Sequence, residues 1–389
     1  MPVKPFDKYD AGDVQALIDG QVPEGRTLDY KRELPGTSND DKKEFLADVS
    51  SFANTAGGEL IFGIDEEGGV PTAIVGVASD DYDHVIRRLD DMIRSGVQPR
   101  VRVHLRVIMS VANQAVVWIR IDQSWDAPHR VTFSGWDKFF GRNSAGKYQL
   151  DITELRHVFQ RTSGAVEAVE KFKDARVAEI QVDRGPVALG RRPKVLVHLI
   201  PLDAFARKPT FDVVGLANWE SRVQPLSRLG WSGRITMNGA LGFAIVETMP
   251  VSYAHLYRSG VVEFADSATL GLPGTKYPSI PSQEFEDRVI HAVDRGIALQ
   301  RDLGVQPPVY CFITLVHAAG MTLGISDDYS ISTDRIPLSE KALSLPEAFF
   351  DSFDDPTAPT LRPSVDVLWN AFGHERSPNF ADDGTWRPR

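Results

Sequence analysis

Residues 42–65 constrain the fold most, because one short run combines a helix pattern, a helix stop and a strand pattern. Apolar side chains at helical spacing predict one buried stripe, formed by Phe45, Leu46, Val49, Phe52 and Ala53. Ser38 or Asn39 is placed to cap this helix, and Gly57 to end it in a left-handed conformation. Residues 60–64 then read as a short strand that carries Asp65 at its end.

Acidic side chains gather around this helix and strand. Glu24 and Asp29 lie at the entry to a second predicted strand, on which Asp29 and Lys31 share one face. Adjacent strands lie about 4.8 Å apart, so Glu24, Asp29 and Asp65 can converge on one cation. Three clustered carboxylates repel one another without a cation, and this predicts a metal site.

The chemistry that suits such a site is phosphodiester cleavage. Mg²⁺ and Mn²⁺ are hard cations that prefer carboxylate oxygens and keep water positions for a substrate. A bound cation neutralises the non-bridging phosphate oxygens, and Lys31 would contact the scissile phosphate. We therefore predict catalytic roles for Glu24, Asp29, Lys31 and Asp65, with the three acids as metal ligands.

Residues 20–162 resemble the Schlafen-type AlbA_2 domain family. The resemblance is carried by the following blocks: Glu24, residues 28–31, the Phe52-Ala53-Asn54-Thr55 run, Gly57-Gly58, residues 62–65, Pro128-His129 and residues 139–144. It implies a nucleic-acid-binding domain, and in animal Schlafens the matching acids and lysine form a proposed endoribonuclease site. Asp29 stands where those proteins have glutamate, a longer side chain, and is a departure from the family's pattern.

Three functions stay open at this point. The first is a metal-dependent endoribonuclease that acts on tRNA-like RNA with Mg²⁺ or Mn²⁺, in a defence or stress response. The second is a non-catalytic regulatory module that binds DNA or RNA. The third is ATP binding, which an older label of the family suggests, although the sequence has no Gly-x4-Gly-Lys-Ser/Thr phosphate loop.

The distribution of charge matters more than its sum. A net charge of −10 argues against a uniformly basic nucleic-acid binder. Residues 100–107 nevertheless alternate strictly and place three arginines on one strand face. That face either follows a phosphate backbone or is a solvated surface paired with acids. The predicted nucleic-acid contacts are Arg100, Arg102, Arg106, Arg130, Lys138 and Arg142.

The predicted fold class is α+β, with two domains. Residues 1–162 form a Schlafen/AlbA_2-type mixed sheet with helices, residues 163–185 a helical connector, and residues 186–389 a second α+β domain. Separate helices are predicted at 151–159 and 165–181, and a terminal helix at 365–376. The second domain carries no motif that indicates chemistry, so we expect it to supply specificity or partner contacts.

Composition limits the remaining possibilities. The single cysteine, Cys311, excludes an internal disulfide and a multi-cysteine zinc site, and lies in an apolar run that predicts burial. No apolar run is long enough to cross a membrane. We therefore expect a cytoplasmic protein without a membrane partner. A homo-oligomer is expected as well, with the helix at 165–181 as its contact surface.

Overall fold

The computed structural model describes residues 6–206, 208–227, 230–270, 279–325 and 337–388, apart from the side chains of 161–162. Helices and strands combine in mixed and antiparallel sheets, which confirms the predicted α+β class. The chain divides into two compact units, Met1–Ser163 and Gly164–Arg389. Among the described residues, no helix combines the length and the apolar character that a membrane crossing requires.

The first unit is built on two four-stranded sheets and a hairpin. Strand order is β1-β2-β7-β6 in one sheet and β10-β9-β8-β5 in the other, and β3 pairs with β4. The β1–β2 pair is parallel and the other neighbouring strands are antiparallel. Its elements are α1 (Ala11–Asp19), β1 (Leu28–Lys31), α2 (Asn39–Thr55), β2 (Gly58–Phe62), β3 (Ile64–Glu67), β4 (Val70–Ile74), α3 (Tyr82–Gly96), β5 (Val97–Gln98), β6 (Val103–Met109), β7 (Ala115–Ile121), β8 (Arg130–Val131), β9 (Lys138–Asn143) and β10 (Gly146–Gln149).

Helix α2 forms the centre of this unit. The Ser38 hydroxyl accepts a hydrogen bond from the Asp41 amide at 3.1 Å and caps the helix. Gly57 has φ of +69° and ends it, as the sequence predicted. Residues 45–54 are all buried, because the helix packs on strands of both sheets. The helix is thus a rigid support for any polar side chain that it carries.

The predicted strand at 60–64 does not carry Asp65 to its end, and this prediction was wrong. Strand β2 ends at Phe62, because Gly63 has φ of +97° and turns the chain. Asp65 instead lies on β3, opposite Ala73 of β4 in a separate hairpin. The left-handed residue therefore directs Asp65 away from the sheet that holds Asp29.

One helix, α4 (Ile152–Gln181), replaces the two helices predicted at 151–159 and 165–181. We expected a break near Ser163 and Gly164. A single glycine costs only about 1 kcal/mol inside a helix, and no proline interrupts this stretch. The helix therefore continues through it.

The second unit is an eight-stranded sheet covered by helices. The main path is β12-β13-β14-β15-β11-β17-β19, β20 also pairs with β17, and β16 and β18 form a separate pair. Cys311 is buried in the core, as predicted. Its elements are β11 (Lys194–Pro201), α5 (Asp203–Ala206), α6 (Trp219–Arg222), β12 (Trp231–Thr236), β13 (Gly239–Val246), β14 (Met249–Tyr257), β15 (Val262–Asp266), β16 (Ser279–Pro281), α7 (Ser282–Leu303), β17 (Val309–Val316), β18 (Thr322–Gly324), β19 (Ala342–Ser344), β20 (Ala348–Phe350) and α8 (Thr357–Asn370).

Helix α8 begins earlier than the predicted terminal helix and ends at Asn370 instead of 376. Two prolines lie in its first half and do not prevent the helix. Pro359 lies in the first turn, where an amide has no intrahelical partner to lose. Pro363 lies deeper and removes one hydrogen bond. Burial of Leu361, Leu368 and Trp369 offsets that loss.

The carboxylate of Glu286 on α7 is fully buried and accepts four hydrogen bonds. Trp369 Nε1 donates at 2.8 Å, Ser377 Oγ at 2.8 Å, Asn379 Nδ2 at 2.8 Å and Trp386 Nε1 at 2.9 Å. These neutral donors satisfy a charge that burial would otherwise make costly. They fix residues 377–386 to the second unit's core.

Candidate functional site

A polar cavity of ≈ 410 Å³ lies in the first unit, beside β1 and the buried face of α2. Three chain segments meet there: the turn before β1, the Gly-Gly turn after β3, and the β9–β10 turn. Two of the three sequence-predicted acids and the predicted lysine line it. The lining residues are Glu24, Gly25, Asp29, Lys31, Asp48, Gly68, Gly69, Arg142, Ser144, Ala145, Gly146 and Lys147.

Glu24 is held by its backbone and by its side chain. Its amide donates to the Gly69 carbonyl at 2.7 Å, and its Oε1 accepts from the Tyr30 amide at 2.7 Å. The carboxyl group also shares a hydrogen bond with Asp29. Burial, followed by that hydrogen bond, raises the pKa of Glu24 to about 7. Near neutral pH, Glu24 therefore carries a proton for much of the time.

Asp29 stays ionised beside it. Burial acts to raise the pKa of Asp29. The hydrogen bond from Glu24 and the charges of Lys31 and Arg142 outweigh that effect and lower it. Lys31 Nζ lies 2.9 Å from Asp29 Oδ2, and the Lys31 side chain is 37% exposed while Asp29 is 6% exposed. The ion pair thus presents its cationic end to the cavity.

Arg142 connects the pieces of the site. Its guanidinium is 3.3 Å from Asp29 and 3.6 Å from Asp48. Its Nε donates to the Gly25 carbonyl at 3.0 Å, and the guanidinium lies 4.4 Å from the centroid of the Phe52 ring. The side chain is only 4% exposed. The sequence predicted a nucleic-acid contact at Arg142. In the structure its side chain is buried and contacts two carboxylates.

Asp48 and Lys147 belong to the site, and sequence analysis missed both. Lys147 Nζ lies 2.8 Å from Asp48 Oδ1 and also contacts Glu44. Burial raises the pKa of Asp48, against the lowering effect of Lys147 and Lys31. A signal was present: Asp48 falls one helical turn after Phe45, on the apolar face of α2. An acid at such a position needs a partner.

The Asn54-Thr55 pair explains why α2 ends with polar residues. Asn54 Nδ2 donates to the carbonyls of His129 and Phe140 at 2.9 and 2.8 Å, and its Oδ1 accepts from the His129 amide at 2.6 Å. Thr55 Oγ1 accepts from the Arg142 amide at 2.9 Å. These bonds hold β9 against the helix, and so they position Arg142.

Asp65, the third predicted metal ligand, does not line the cavity. Its carboxylate pairs with Arg32, and the Asp65 side chain is 38% exposed. In the part of the chain that the structure describes, no group of three or more His, Cys, Asp or Glu residues is arranged to hold a metal ion. The structure therefore brings together Glu24, Asp29 and Lys31 and leaves Asp65 on the β3–β4 hairpin.

The comparisons with known proteins locate this site within a family. Residues 24–151 match the family model "Schlafen, AlbA_2". This segment is a Schlafen AlbA_2 domain. All six charged residues that line the cavity fall inside the AlbA_2 match, from Glu24 at its first residue to Lys147 near its end. No curated protein matches the chain.

Solved structures also match part of the chain. The DIP2311 protein from Corynebacterium diphtheriae shares 19% identity over 38% of this chain and 31% of its own, with a TM-score of 0.28. The N-terminal domain of a putative ATP-dependent DNA helicase RecG-related protein from Nitrosomonas europaea shares 22% identity over 37% of this chain and 94% of its own, with a TM-score of 0.27. The match spans about a third of the length of the corynebacterial protein.

The other basic residues predicted to contact nucleic acid are dispersed over the AlbA_2 domain. Arg100 is exposed before β6, and Arg102 is half-buried. Arg106 donates to the Phe6 carbonyl at 2.9 Å, and Arg130 lies 3.0 Å from Asp137. Lys138 Nζ lies 4.9 Å from the centroid of the Trp136 ring. Arg106 and Arg130 thus have partners within the first unit, and Lys138 lies over an aromatic ring.

Proposed function

We propose that the AlbA_2 domain binds nucleic acid and that its cavity cleaves RNA phosphodiester bonds. The observation that supports this most is the hydrogen-bonded Glu24–Asp29 pair with Lys31 beside it. Two carboxyl groups that differ in protonation, next to an accessible cation, are the components of an acid–base hydrolase. The family match at residues 24–151, within which the whole charged cavity lies, supports a nucleic-acid role for the domain.

Lys31 would bind the phosphate. Its ammonium group is part-exposed on the cavity side, and the charges of Asp48 and Asp29 raise its pKa against the lowering effect of burial. It therefore stays charged in the pH range where RNA is handled. A fixed cation at this position stabilises the negative charge that develops on phosphate oxygens.

Glu24 would supply a proton. In hydrolysis a water oxygen bonds to the phosphorus and gives its proton to solvent, while the bond to the ribose oxygen breaks. The leaving ribose oxygen needs a proton, and without a bound metal the Glu24 carboxyl group carries one near neutral pH. An acid with a pKa of about 7 is well matched to this task, because both its forms are populated at neutral pH. Asp29 keeps that proton in place through the shared hydrogen bond.

The Glu24–Asp29 pair also has the donor chemistry for Mg²⁺ or Mn²⁺. A Mg²⁺ ion in proteins commonly uses one or two carboxylates and takes its other ligands from water and substrate phosphate. A cation held by Glu24 and Asp29 would replace the shared proton, so Glu24 would then act as a ligand and no longer as the proton donor, and cleavage assays with EDTA distinguish the two roles. Such a cation supplies charge neutralisation at the scissile phosphate. Asp48 is already bridged to Asp29 by Arg142 and Lys31.

Cleavage assays with matched variants test the proposal. Purified protein is incubated with a tRNA pool and Mg²⁺ or Mn²⁺, beside Glu24→Gln, Asp29→Asn and Lys31→Met. Asp80→Asn, which changes an exposed carboxylate of the same domain, is the control. We expect cleavage by the wild type and the control only, loss of cleavage with EDTA, and retained RNA binding by Glu24→Gln. Equal cleavage by all variants would mean that the activity comes from a contaminant.

A second candidate function is a binding module without catalysis. The observation that favours it is charge pairing: Asp29 already contacts Lys31 and Arg142, and Asp48 contacts Lys147. Such a network can serve to hold the β9–β10 turn in place for binding. RNA or DNA binding by the wild type without cleavage under any metal condition identifies this function.

Three finer expectations belong to the same proposal. The family resemblance favours tRNA-like RNA as the substrate and a role in defence or stress response. We also propose that the chain forms a homo-oligomer, through a surface other than the predicted apolar stripe of α4, because Val169 and Ile180 of that stripe are buried within the chain. Light scattering with and without RNA tests this last point, and a monomer under both conditions would contradict it.

A further inference from the structure

Three lysines of the AlbA_2 domain are held over aromatic rings. Lys42 Nζ lies 5.8 Å from the centroid of the Phe133 ring, and the Nζ atoms of Lys43 and Lys138 lie 5.2 and 4.9 Å from the centroid of the Trp136 ring. We name these five residues the Lys–aromatic surface. Cation–π contacts of this kind hold an ammonium group in place without removing its charge.

Nearby carboxylates neutralise little of the positive charge of this surface. Lys43 Nζ lies 4.0 Å from Asp40, whose side chain is 97% exposed. Asp137 is directed to Arg130, at 3.0 Å. Among the described residues, no ion pair joins Lys42 or Lys138 to a carboxylate. Lys42 and Lys138 therefore keep their positive charge for an anionic partner, in a chain whose net charge is −10, while Lys43 is paired with Asp40 and only 16% exposed.

The surface and the cavity lie at opposite ends of one strand. Lys138, Phe140 and Arg142 alternate along β9, so their side chains share a face. Phe140 packs on Trp136, with ring centroids 5.8 Å apart, while Arg142 reaches the cavity. The Cα atoms of Lys138 and Arg142 are about 13 Å apart at the rise of an extended strand. A chain of a few nucleotides covers that distance.

We infer that the Lys–aromatic surface binds the phosphate backbone of single-stranded RNA next to the phosphodiester in the cavity. This inference rests on the proposed function. The lysines would contact phosphates, and the half-buried Trp136 and Phe133 rings would offer apolar contacts to bases. A flexible single strand can follow the short path from cavity to surface. The proposed partner is thus a single RNA strand that is long enough to occupy both the cavity and the Lys–aromatic surface.

The test is RNA binding as a function of salt, in EDTA so that nothing is cleaved. The wild type is compared with the triple variant Lys42→Gln, Lys43→Gln and Lys138→Gln, which removes the three charges and keeps part of each aliphatic stem. The charge-matched control is a triple glutamine variant of three second-unit lysines, Lys171, Lys208 and Lys341. Thermal unfolding of each variant shows whether it is folded.

Log affinity falls as log salt rises. Loss of three phosphate contacts should make this fall less steep, by about 2 in slope. If the affinities are equal at 1 M salt, that slope makes RNA binding about 100-fold weaker at 0.1 M salt. The control triple variant should keep the wild-type slope. In cleavage assays, the surface variant should raise KM for long strands and leave kcat unchanged, because the cavity is intact.

The outcomes separate this inference from the proposed function. An unchanged slope in a folded surface variant overturns the inference and leaves cleavage in the cavity intact. A less steep slope in the surface variant, with no cleavage by the wild type, supports RNA binding by the surface and contradicts the proposed nuclease activity. Vesicles of phosphatidylserine provide the other arm. If the surface variant loses vesicle binding and keeps RNA binding, the surface is a membrane contact and the inference is wrong.

Discussion

Glu24 and Asp29 share a hydrogen bond between their carboxyl groups, and the environment moves their pKa values in opposite directions. Burial and the neighbouring carboxylate raise the pKa of Glu24 to about 7, while the shared hydrogen bond and two cations lower that of Asp29. The pair thus holds one proton below about pH 7 and loses it above. It titrates as a unit, and its behaviour toward pH and metal gives the clearest tests of the site.

Glu24→Gln should make folding less sensitive to pH. The folded pKa of Glu24 lies above its ordinary value of 4.5, so its stabilising protonated form is fully populated below about pH 4.5. That contribution is lost as pH rises through about 7. Glutamine mimics the protonated form at every pH. Urea unfolding from pH 4.5 to 8 should show the wild type losing about 1–2 kcal/mol relative to the variant, a value reduced for solvent screening at the open cavity. Parallel curves would contradict the shared proton.

Metal binding should compete with this proton. If Mg²⁺ or Mn²⁺ binds between Glu24 and Asp29, its affinity should rise about tenfold per pH unit below the pKa of Glu24 and level off above it. Isothermal titration calorimetry with Mn²⁺ at pH 5.5, 6.5 and 7.5 measures this dependence and the protons released. Glu24→Gln should bind weakly at all three pH values. An affinity of the wild type that does not change with pH would place the metal elsewhere.

Arg142→Met should destabilise the AlbA_2 domain strongly. The substitution keeps an apolar side chain on Phe52 but removes the buried one of the two cations that Asp29 and Asp48 share, and leaves them Lys31, which is 37% exposed. Removing one partner of a buried ion pair costs about 3–5 kcal/mol. Chemical denaturation measures the loss of stability. The control is Arg94→Met, at an exposed side chain of α3. A loss equal to that of the control would show that the buried acids take up protons at no cost.

Asp65→Asn separates the three-acid site predicted from sequence from the cavity seen in the structure. Asp65 pairs with Arg32 on the β3–β4 hairpin, outside the cavity lining. We therefore expect this variant to cleave RNA at close to the wild-type rate, unlike Asp29→Asn. Single-turnover assays compare the two variants. If Asp65→Asn is as inactive as Asp29→Asn, the site includes Asp65 and the sequence prediction was the better one.

Residue spacing and residue type predicted helix α2, which supports the site. The other members of the site depend on tertiary contacts. The apolar stripe of α2, its Ser38 cap and the left-handed Gly57 all follow from spacing and residue type. The turn at Gly63 did not, because a glycine inside an apolar run fits both a strand and its end. That one residue decides where Asp65 lies.

The missing members of the site have a different cause. Asp48 and Lys147 are far apart in sequence, and only the packing of α2 against the β9–β10 turn brings them to 2.8 Å. Pattern reading assigns Asp48 to a helix but does not identify its partner. Similarly, Arg142 looked like a surface cation, and its burial depends on Asn54 and Thr55, which draw β9 onto the helix. Long-range ion pairs of this type are not visible in local periodicity.

All four hydrogen-bond donors to Glu286 are synthesised after Glu286 itself. Trp386 lies 100 residues after Glu286, so during synthesis helix α7 leaves the ribosome well before its carboxylate can gain all its partners. Until then the acid must stay hydrated, which keeps the helix from settling fully against the sheet. Residues 377–386 thus complete the burial of Glu286, and a nascent chain that has not yet reached them should remain open to proteases.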